Sequence, residues 1–523
     1  MMQLLNYLCG EWVAGKGPGT LLYNPVTGAE IARAGSEGLD LAAALQFGRE
    51  RGGPALRALS YAERANRLHA IADALSAQRD KYYQIALENS GNTKTDAALD
   101  IDGGIGTLKY YAGLGKQLGE ARYLAEPGLE RLARDEAFQG AHILTPIQGI
   151  AVHINAFNFP SWGLWEKAAV ALLSGVPVFA KPATATALLS YEMVRDVIAA
   201  DILPAGALSL ICGGGRELMD LVTAQDAVAF TGSADTAASL RAHPNVIRSN
   251  VRFNVEADSL NSALLGPDAA PDSPEFQLFI KEVVREMSVK AGQKCTAIRR
   301  ILVPAALQSK VEEALREGLA GVAVGDPRNE RVRMGPLVTR SQQQAAWEGI
   351  ERLKTEAAVV CGGERAFELV DADPARGYFV PPTLLRCADP SSSRVVHEVE
   401  VFGPVATVMP YADAEQAFAL AARGGGSLVT SVFTGDGDFA IRAAVAIAPT
   451  HGRVLVVDKS IGGSHTGHGV VMPHCIHGGP GRAGGGEELG GLRALRFYHQ
   501  RSAIQASAGC LKRLQETATV LVS

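Results

Sequence analysis

A cysteine and a glutamate are the residues of this chain best suited to chemistry. Cys295 lies in Ala-Gly-Gln-Lys-Cys-Thr-Ala (291–297), and Glu256 stands well upstream of it. A thiolate adds readily to an aldehyde carbonyl, the resulting thiohemiacetal can lose hydride to a nicotinamide ring, and an activated water can hydrolyse the remaining thioester. Taken alone, Cys295 has a plainer interpretation, because free cysteine usually serves as a small buried hydrophobe.

Four further motifs stand in order around this pair. They are Asn-Ala-Phe-Asn-Phe-Pro-Ser-Trp-Gly (155–163), Phe-Ala-Lys-Pro (179–182), Phe-Thr-Gly-Ser (230–233) and Glu-Val-Phe-Gly-Pro (400–404). With Cys295 between the last two, the chain resembles the aldehyde dehydrogenase superfamily over nearly its whole length. The resemblance implies that the chain oxidises an aldehyde with a nicotinamide cofactor.

The resemblance also implies roles for four catalytic residues. Cys295 matches the nucleophile and Glu256 the general base. Asn158 matches the amide that holds the oxyanion together with the backbone N–H of Cys295. Lys167 matches the lysine that relays the proton from the base. Without the motifs, Asn158 would be interpreted as a turn residue and Lys167 as a surface lysine.

The chain departs from the family directly after its general base. Ala257 and Asp258 replace the residues that usually follow the glutamate, so Asp258 is a weaker rival for the role of base. The thiol of Cys295 should also need a cation or backbone amides to lower its pKa. Lys294 is adjacent in sequence, but its side chain can point away, and we assign it no role.

The cofactor motif favours NADP over NAD. Family members that use NAD commonly carry a glutamate three residues after the lysine that corresponds to Lys181, where it binds the ribose hydroxyls. This chain has Thr184 at that position. A carboxylate would repel a 2′-phosphate, whereas a neutral hydroxyl and the Lys181 cation would accept it.

Other residues match the family's cofactor contacts. Ser233 is expected to meet the pyrophosphate at a helix N-terminus, where its alternative role is an ordinary N-cap. Glu400 and Phe402 match the residues that touch the nicotinamide ribose and ring. The full predicted set is Ile154, Asn155, Phe157, Lys181, Ala183, Thr184, Gly214, Thr231, Gly232, Ser233, Glu400 and Phe402.

Hydrophobic periodicity predicts an α/β fold with two doubly wound parallel sheets. Short apolar runs between 148 and 265 alternate with helical patterns, and a second such series follows Cys295. A long helical pattern covers 61–89. We expect an NADP-binding domain in 1–123 and 148–265, and a catalytic domain in 266–480.

Two segments, 124–147 and 497–510, fit neither series. In the superfamily the matching segments form a protruding β-arm that pairs with another subunit. Exposed strands are poor structure for a monomer, so a homodimer is expected.

Composition excludes several other classes of protein. The 523 residues carry a net charge of −5 with no long basic run, so neither nucleic acid nor an anionic membrane is an expected partner. The amino end lacks the pattern of a secretory signal, and we expect a cytoplasmic protein. Seven scattered cysteines without Cys-x-x-Cys spacing favour reduced thiols over a disulfide framework.

The glycine-rich tail contains two misleading patterns. The segment 479–484 satisfies G-x-G-x-x-G, but no βαβ unit surrounds it, so we expect a loop at the substrate entrance. The tail histidines are spaced like metal ligands: His465, His468, His474 and His477. No carboxylate stands among them and the implied chemistry needs no metal, so none is predicted.

The tail also bears on the substrate. The stretch 477–491 resembles that of a subgroup acting on CoA thioesters in aerobic aromatic degradation, which implies a CoA-linked semialdehyde. A general aldehyde dehydrogenase is one alternative, and a CoA-acylating enzyme is another, although the latter type typically lacks the base that Glu256 provides. A catalytically silent structural homologue is a distant third.

Overall fold

The first sheet of the computed structural model, which describes residues 2–521, grows from short runs of Ala, Val, Ile and Leu. Its seven strands lie in the order Arg252–Glu256, Ala227–Thr231, Ala151–Ile154, Val178–Lys181, Leu208–Leu210, Asn6–Leu8 and Glu11–Val13. The first five are parallel, and the two amino-terminal strands join the edge antiparallel. Such runs, apolar at nearly every position, are typical of a parallel sheet covered on both faces.

Helices cover this sheet on both faces. The predicted 61–89 pattern is two helices, since the chain turns between Ser76 and Arg79 and the Ser76 hydroxyl bonds back to the Ala72 carbonyl. The helices of this half are Leu41–Phe47, Gly53–Ala58, Tyr61–Ser76, Arg79–Ser90, Lys94–Leu118, Trp162–Leu173, Ala187–Ala199, Leu218–Leu221, Ala234–Arg241 and Pro244–Arg248. A short π-helical turn spans Gly48–Gly52.

Helix Lys94–Leu118 is long and rich in glycine. Glycine disfavours a helix by about 1 kcal/mol per residue, so intrinsic helix propensity alone would not predict this helix. Packing explains two of the glycines, because a Cβ at Gly104 would lie 3.0 Å from the Ser161 hydroxyl and one at Gly115 would collide with Leu173. Glycine is therefore needed at these two positions because the neighbouring helix lies so close, although glycine has a low helix propensity.

The second sheet confirms the other predicted series, except that one run was placed in the wrong series and strand Thr383–Arg386 was not predicted. Its order is Ala358–Cys361, Thr383–Arg386, Val405–Tyr411, Arg300–Pro304, Ser262–Leu265, Ser427–Phe433 and His451–Val457. The run at 263–265, placed in the first series by sequence, pairs instead with Arg300–Pro304 and Ser427–Phe433. An apolar run carries no mark of which sheet it joins, so only the tertiary fold settles its place.

The helices that flank this sheet are Pro274–Ser288, Gln308–Ala320, Arg340–Leu353, Ala414–Ala422 and Gly437–Ile447. Helix Leu492–Leu495 contacts helix Trp162–Leu173 instead, and helix Ala508–Thr517 contacts strands Phe138–Pro146 and His499–Ser507. Single 3₁₀ turns occupy Thr184–Thr186, Val289–Gly292, Ala305–Leu307, Val395–His397, Ala448–Thr450, Gly481–Ala483 and Arg496–Tyr498. Within 2–521, no helix has the length and apolarity needed to cross a membrane.

Smaller sheets complete the fold. The two segments assigned to an arm lie together, since Phe138–Pro146 pairs antiparallel with His499–Ser507, and Leu124–Ala125, Glu130–Arg131 and Thr519–Val520 extend this sheet. A three-stranded sheet contains Met2–Gln3, Glu30–Ala34 and Thr20–Tyr23. A hairpin pairs Ile476–Gly478 with Glu487–Leu489.

Candidate active site

The carboxyl ends of the first sheet's parallel strands form one wall of the site. Ile154 pairs with Lys181, and Thr231 pairs with Glu256, so these four strand ends lie level with one another. The strands that follow Ala151–Ile154 in the chain lie on both sides of it, Val178–Lys181 on one side and Ala227–Thr231 on the other. Ala151–Ile154 is therefore the topological switch point of the sheet. Open α/β sheets bind ligands at such points.

The loop that carries Cys295 is tightly bent. Lys290 and Ala291 adopt left-handed backbone angles, with φ of 53° and 50°, before the chain reaches the cysteine. The side-chain amide of Asn261 donates to the carbonyls of Cys295, at 2.7 Å, and Ala297, at 3.0 Å. The buried amide therefore fixes the cysteine's backbone against the second sheet.

The surroundings of Cys295 are negative. Burial, followed by the charge of Glu256, raises the pKa of the Cys295 thiol well above its usual value. Lys294 gives it no help, because its amine pairs with Glu286 at 2.6 Å. The thiol is therefore protonated at rest and needs a base to become a nucleophile.

A third group, missed by the sequence interpretation as a catalytic neighbour, joins the pair. The Nε2 atom of His477 lies 3.1 Å from Glu256 Oε1 and 4.0 Å from Cys295 Sγ, and all three side chains meet in the buried centre of the site. One nitrogen faces both partners, so the arrangement is not a triad in which the two ring nitrogens bridge nucleophile and acid. Burial would raise the pKa of Glu256, but His477 and Lys167 lower it to about 2.

Lys167 lies behind the base rather than beside the substrate. Its amine bonds Glu166 at 2.6 Å and Glu488 at 3.0 Å, and all three side chains are buried. Burial would lower the pKa of Lys167, but Glu166, Glu488 and Glu256 raise it. Carboxylate oxygens of Glu166, Glu256 and Glu488 lie within 4.8 Å of one another. These buried groups form a continuous path along which a proton could move from Glu256 into the interior.

Cys295 borders two cavities of different character. The larger, about 620 Å³, is a cleft that extends along the strand ends and is lined by several charged side chains, among them Asp258, Glu400 and Arg482. The smaller, about 60 Å³, is a mainly apolar pocket, for which we use the name tunnel. The tunnel is lined by Leu99, Gly103, Phe159, Trp162, Cys295, Thr296, Gly469, Val470, Val471 and His477.

A third, water-sized space lies beside the sulfur. Its volume is about 10 Å³, and its walls include Asn158, Glu166, Glu256 and Cys295. One water needs roughly this much room and two to four polar partners. The base, the amide and the nucleophile thus share one small polar compartment.

The cleft brings together most, but not all, of the predicted site residues. Those that line it are Phe157, Asn158, Ala183, Thr231, Gly232, Ser233, Glu256, Cys295, Glu400 and Phe402. Those that do not are Ile154, Asn155, Lys167, Lys181, Thr184 and Gly214. Lys181 ends its strand, Thr184 begins the next 3₁₀ turn, and the exposed Gly214 accepts a hydrogen bond from Ser36 at 2.6 Å.

Polar groups without partners suit this cleft to a dinucleotide. The buried hydroxyl of Thr231, in the cleft wall, has no hydrogen-bond partner within the described chain, and neither have the amide atoms of Asn155, which lies outside the cleft lining at the end of strand Ala151–Ile154. Ser233 caps helix Ala234–Arg241 by accepting from Thr236 N at 3.3 Å, which leaves that helix end facing the cleft. Buried polar groups normally find partners, so these residues fit a polar ligand that supplies them.

The second half of the chain contributes an acid, Glu400, and an aromatic ring, Phe402, to the cleft. Phe402 packs edge-on against Phe157 with ring centroids 5.7 Å apart. Burial raises the pKa of Glu400 to about 7, and Ser259 N donates to its carboxylate at 3.0 Å. These two residues close the cleft over the nucleophile.

Asp258 is engaged away from the nucleophile. Its carboxylate pairs with Arg482 and accepts from Ala234 N. Glu256 is the acid that faces Cys295, so the geometry supplies no reason to assign Asp258 the base. The four tail histidines also separate, since His468 bonds Ser431, His474 packs on Tyr110 and His477 reaches Glu256.

Comparison with known proteins identifies the class of protein to which this fold belongs. The model of the aldehyde dehydrogenase family matches residues 12–504, so the chain belongs to that family and is an oxidoreductase. The resemblance inferred from the motifs is thereby confirmed.

Particular relatives narrow the comparison. The 3,4-dehydroadipyl-CoA semialdehyde dehydrogenase of Aromatoleum evansii is 58% identical over 479 residues, which cover 92% of this chain and 93% of the relative. The alpha-ketoglutaric semialdehyde dehydrogenase of Bacillus subtilis is 27% identical, covering 82% and 85%. The solved betaine aldehyde dehydrogenase of Staphylococcus aureus, in complex with NAD+, has a TM-score of 0.83 at 24% identity, covering 97% and 95%, and confirms the α/β fold.

Proposed function

We propose that this protein uses NADP to oxidise a CoA-linked semialdehyde to the carboxylic acid. One observation carries the proposal: Cys295 lies where a charged cleft and a narrow tunnel meet. A cofactor in the cleft and an aldehyde at the inner end of the tunnel would reach the same sulfur from two sides.

The first step needs a proton to leave the thiol. Glu256, with its pKa near 2, is ionised at neutral pH and takes that proton, and an Nε2–H of His477 would steady the thiolate. The sulfur then adds to the aldehyde carbon, and the carbonyl oxygen becomes an oxyanion. Asn158 and the Cys295 N–H stabilise this charge.

A nicotinamide ring bound in the cleft would supply the hydride acceptor for the thiohemiacetal carbon, so that a thioester would remain on Cys295. The residues expected to hold the ring are Glu400 and Phe402, which line the cleft with Cys295.

The second half of the reaction hydrolyses that thioester. A water in the 10 Å³ compartment would lie between Glu256 and the acyl carbon. Once the proton taken from the thiol has left Glu256, this carboxylate removes a proton from the water, the hydroxyl bonds to the carbon, and the thiolate of Cys295 leaves. Lys167 can relay each proton inward from Glu256, because its ammonium can give a proton to Glu166 or Glu488 as it takes one from Glu256.

The preference for NADP rests on Thr184 and Lys181. A half-buried cation with little hydrogen bonding is available, because Lys181 contacts the Pro182 carbonyl only at 3.5 Å. Thr184 adds a hydroxyl where a carboxylate would repel a 2′-phosphate. The remaining predicted contacts, from Ile154 to Ser233, would hold the rest of the dinucleotide.

The substrate assignment rests on the relative from Aromatoleum evansii. Its name specifies 3,4-dehydroadipyl-CoA semialdehyde, and it covers nearly the whole chain at 58% identity. The slender, largely apolar tunnel suits an unbranched chain with an aldehyde at its tip. We extend the assignment to a cytoplasmic homodimer joined by its arms, with the domain bounds predicted from sequence except that strand Ser262–Leu265 belongs to the catalytic domain.

The decisive experiment supplies the purified protein with a CoA-linked semialdehyde or a free aldehyde of similar length, and with NAD+ or NADP+. We expect the highest kcat/KM with the CoA-linked substrate and NADP+, and mass spectrometry should identify the acid as product. Equal kcat/KM for both aldehydes would leave a general aldehyde dehydrogenase. Better kcat/KM with NAD+ would refute the argument from Thr184.

The CoA-acylating alternative makes a different product. Adding free CoA would then yield a new thioester at the oxidised carbon, with no acid formed. The buried Glu256 beside a water-sized space favours hydrolysis. Absence of turnover across all aldehydes and both cofactors would instead support a silent structural homologue.

A further inference from the structure

The cleft wall contains an ion pair that the sequence motifs did not indicate. Arg482 Nη2 lies 3.3 Å from Asp258 Oδ2, and both residues line the cleft with Cys295 and Glu400. Their side chains are 24% and 27% exposed, so the pair is neither sealed in the core nor part of the open surface. A ligand in the cleft can reach it.

Each partner of the pair has a second anchor. The other carboxylate oxygen of Asp258 accepts from Ala234 N at 3.0 Å, at the start of helix Ala234–Arg241. Arg482 also donates to the Glu398 carbonyl on the opposite side of the cleft. These bonds hold the guanidinium across the cleft and leave several of its five N–H groups for other acceptors.

Glycines bring Arg482 to this position. The residue lies in the loop of hairpin Ile476–Leu489, where Gly484 has a φ of 106° and a Cβ would collide with the Val255 carbonyl. Because Val255 precedes Glu256 in its strand, the loop lies directly on the strand that delivers the base. The predicted entrance loop is thus a wall of the cofactor cleft.

The charges of the cleft call for a cation here. Carboxylates on its walls outnumber guanidinium groups: Asp235, Glu256, Asp258, Glu398 and Glu400 against Arg352 and Arg482. A dinucleotide brings two more negative charges on its diphosphate. Moreover, the carboxylate of Asp258 already occupies an N–H at a helix end that would otherwise attract an anion.

We propose that Arg482 contacts the anionic dinucleotide, and that Asp258 holds this guanidinium before the cofactor enters and competes for its charge afterwards. Asp258 is then a positioning residue. The inference rests on the proposed function, since it presumes a nicotinamide dinucleotide in the cleft. Thr184 does not line this cavity, so the pair should affect NAD and NADP equally.

The test is a fluorescence titration of the full-length protein with NADPH and with NADH. Arg482→Met should weaken binding of both about tenfold, the size of one lost charge-assisted hydrogen bond, and Arg482→Lys should recover part of the loss. Asp258→Asn keeps an acceptor for Ala234 N but removes a negative charge, so it should tighten binding about threefold. Arg331→Met, at an exposed position, controls for the loss of one positive charge.

The two substitutions should change nucleotide affinity in opposite directions if the pair acts through its charge. If the pair acts only as a structural brace that holds the loop in place, both substitutions should weaken binding. Unchanged binding by Arg482→Met would overturn the inference, and so would weaker binding by Asp258→Asn, since a brace fails when either side is removed. Thermal unfolding identifies a misfolded variant, in which case Arg482→Lys replaces Arg482→Met in the comparison. If the unaltered protein binds neither nucleotide, the proposed function itself fails.

Discussion

The two cavities that meet at Cys295 differ in size and in chemistry. The cleft has about ten times the volume of the tunnel, 620 Å³ against 60 Å³, and charged residues occupy its walls. The tunnel walls are mainly apolar and include the rings of Phe159 and Trp162. An ionic, bulky cofactor suits the first, and a thin carbon chain suits the second.

The difference follows from the elements that build each cavity. Ends of parallel strands form the cleft, where backbone N–H groups and polar side chains are exposed at a switch point. The tunnel is formed by side chains from helix Lys94–Leu118, the start of helix Trp162–Leu173 and the tail at 469–477. Substitutions in one cavity should therefore leave ligand binding in the other intact.

The largest effect is expected where the cavities meet. Cys295→Ala removes the nucleophile and should abolish aldehyde oxidation, while NADPH binding in the cleft persists with an unchanged Kd. Activity assays and a fluorescence titration on the same preparation measure both. Retained turnover would refute the nucleophile assignment, and Cys475→Ala, at an exposed position, is the matched control.

Glu256→Gln should lower kcat by about 10²–10⁴-fold, the usual contribution of a general base. Glu256 serves both thiol activation and hydrolysis, but His477 still faces the sulfur in the variant, so hydrolysis should become the slower step. Acyl enzyme should then accumulate, and mass spectrometry should find the acyl group on the Cys295 peptide. If turnover is lost without any acyl enzyme, Glu256 acts in thiol activation alone. Asp258→Asn, at the rival acid, should retain turnover.

A change at the cofactor end should alter nucleotide choice without touching the tunnel. Thr184→Glu places a carboxylate near the expected 2′-phosphate and should lower kcat/KM for NADP+ about tenfold, through repulsion of like charges. The value for NAD+ and the aldehyde KM should change far less. Thr184→Ser keeps the hydroxyl and serves as control; an unaltered NADP+/NAD+ ratio in Thr184→Glu would contradict the assignment.

A change in the tunnel should do the reverse. Gly103→Leu narrows it, since even a Cβ there would lie 3.3 Å from the Trp162 ring, and should raise KM for a long aldehyde by up to about tenfold. A two-carbon aldehyde should be affected less, and nucleotide Kd not at all. Gly106→Leu on the next turn, where a Cβ meets nothing, is the matched control. Equal losses for long and short aldehydes would argue against the tunnel.

The smallest effect concerns pH. The depressed pKa of Glu256 keeps this base ionised as pH falls, until the pH approaches about 2. His477→Asn removes the first of the charges that lower this pKa while burial still raises it, so the acid limb of the kcat/KM profile should move to higher pH. His474→Asn, at an exposed position, should keep the original profile. Identical pH profiles for the unaltered protein, His477→Asn and His474→Asn would show that His477 does not lower the pKa of Glu256.

Short sequence motifs were sufficient to predict many of the residues that line the cleft. Phe157, Ser233 and Glu400 lie in segments whose order is recognisable, and the structure places all three on one cavity. The strands that carry them are apolar runs with clear limits, so most elements of the two sheets could be predicted. Strand Arg252–Glu256 was missed, because its alternation of polar and apolar residues is too short to stand out.

Other features depend on contacts between distant parts of the chain. His477 reaches Glu256 across more than two hundred residues, and Arg482 reaches Asp258 across a similar distance. Their segment contains little but glycine, whose φ freedom gives no periodic signal. The glycines of helix Lys94–Leu118 likewise make sense only against the helix they touch.

The sequence by itself therefore determined the family and the alternation of strands and helices, and it supplied Cys295 and Glu256 as candidates for nucleophile and base, because these depend on residue types in local order. The tertiary structure alone decided which sheet receives 263–265, which histidine joins the reacting pair, and which charges face the cleft. Those outcomes depend on side chains that approach one another only after the two sheets have packed, and local preference carries no information about such long-range contacts.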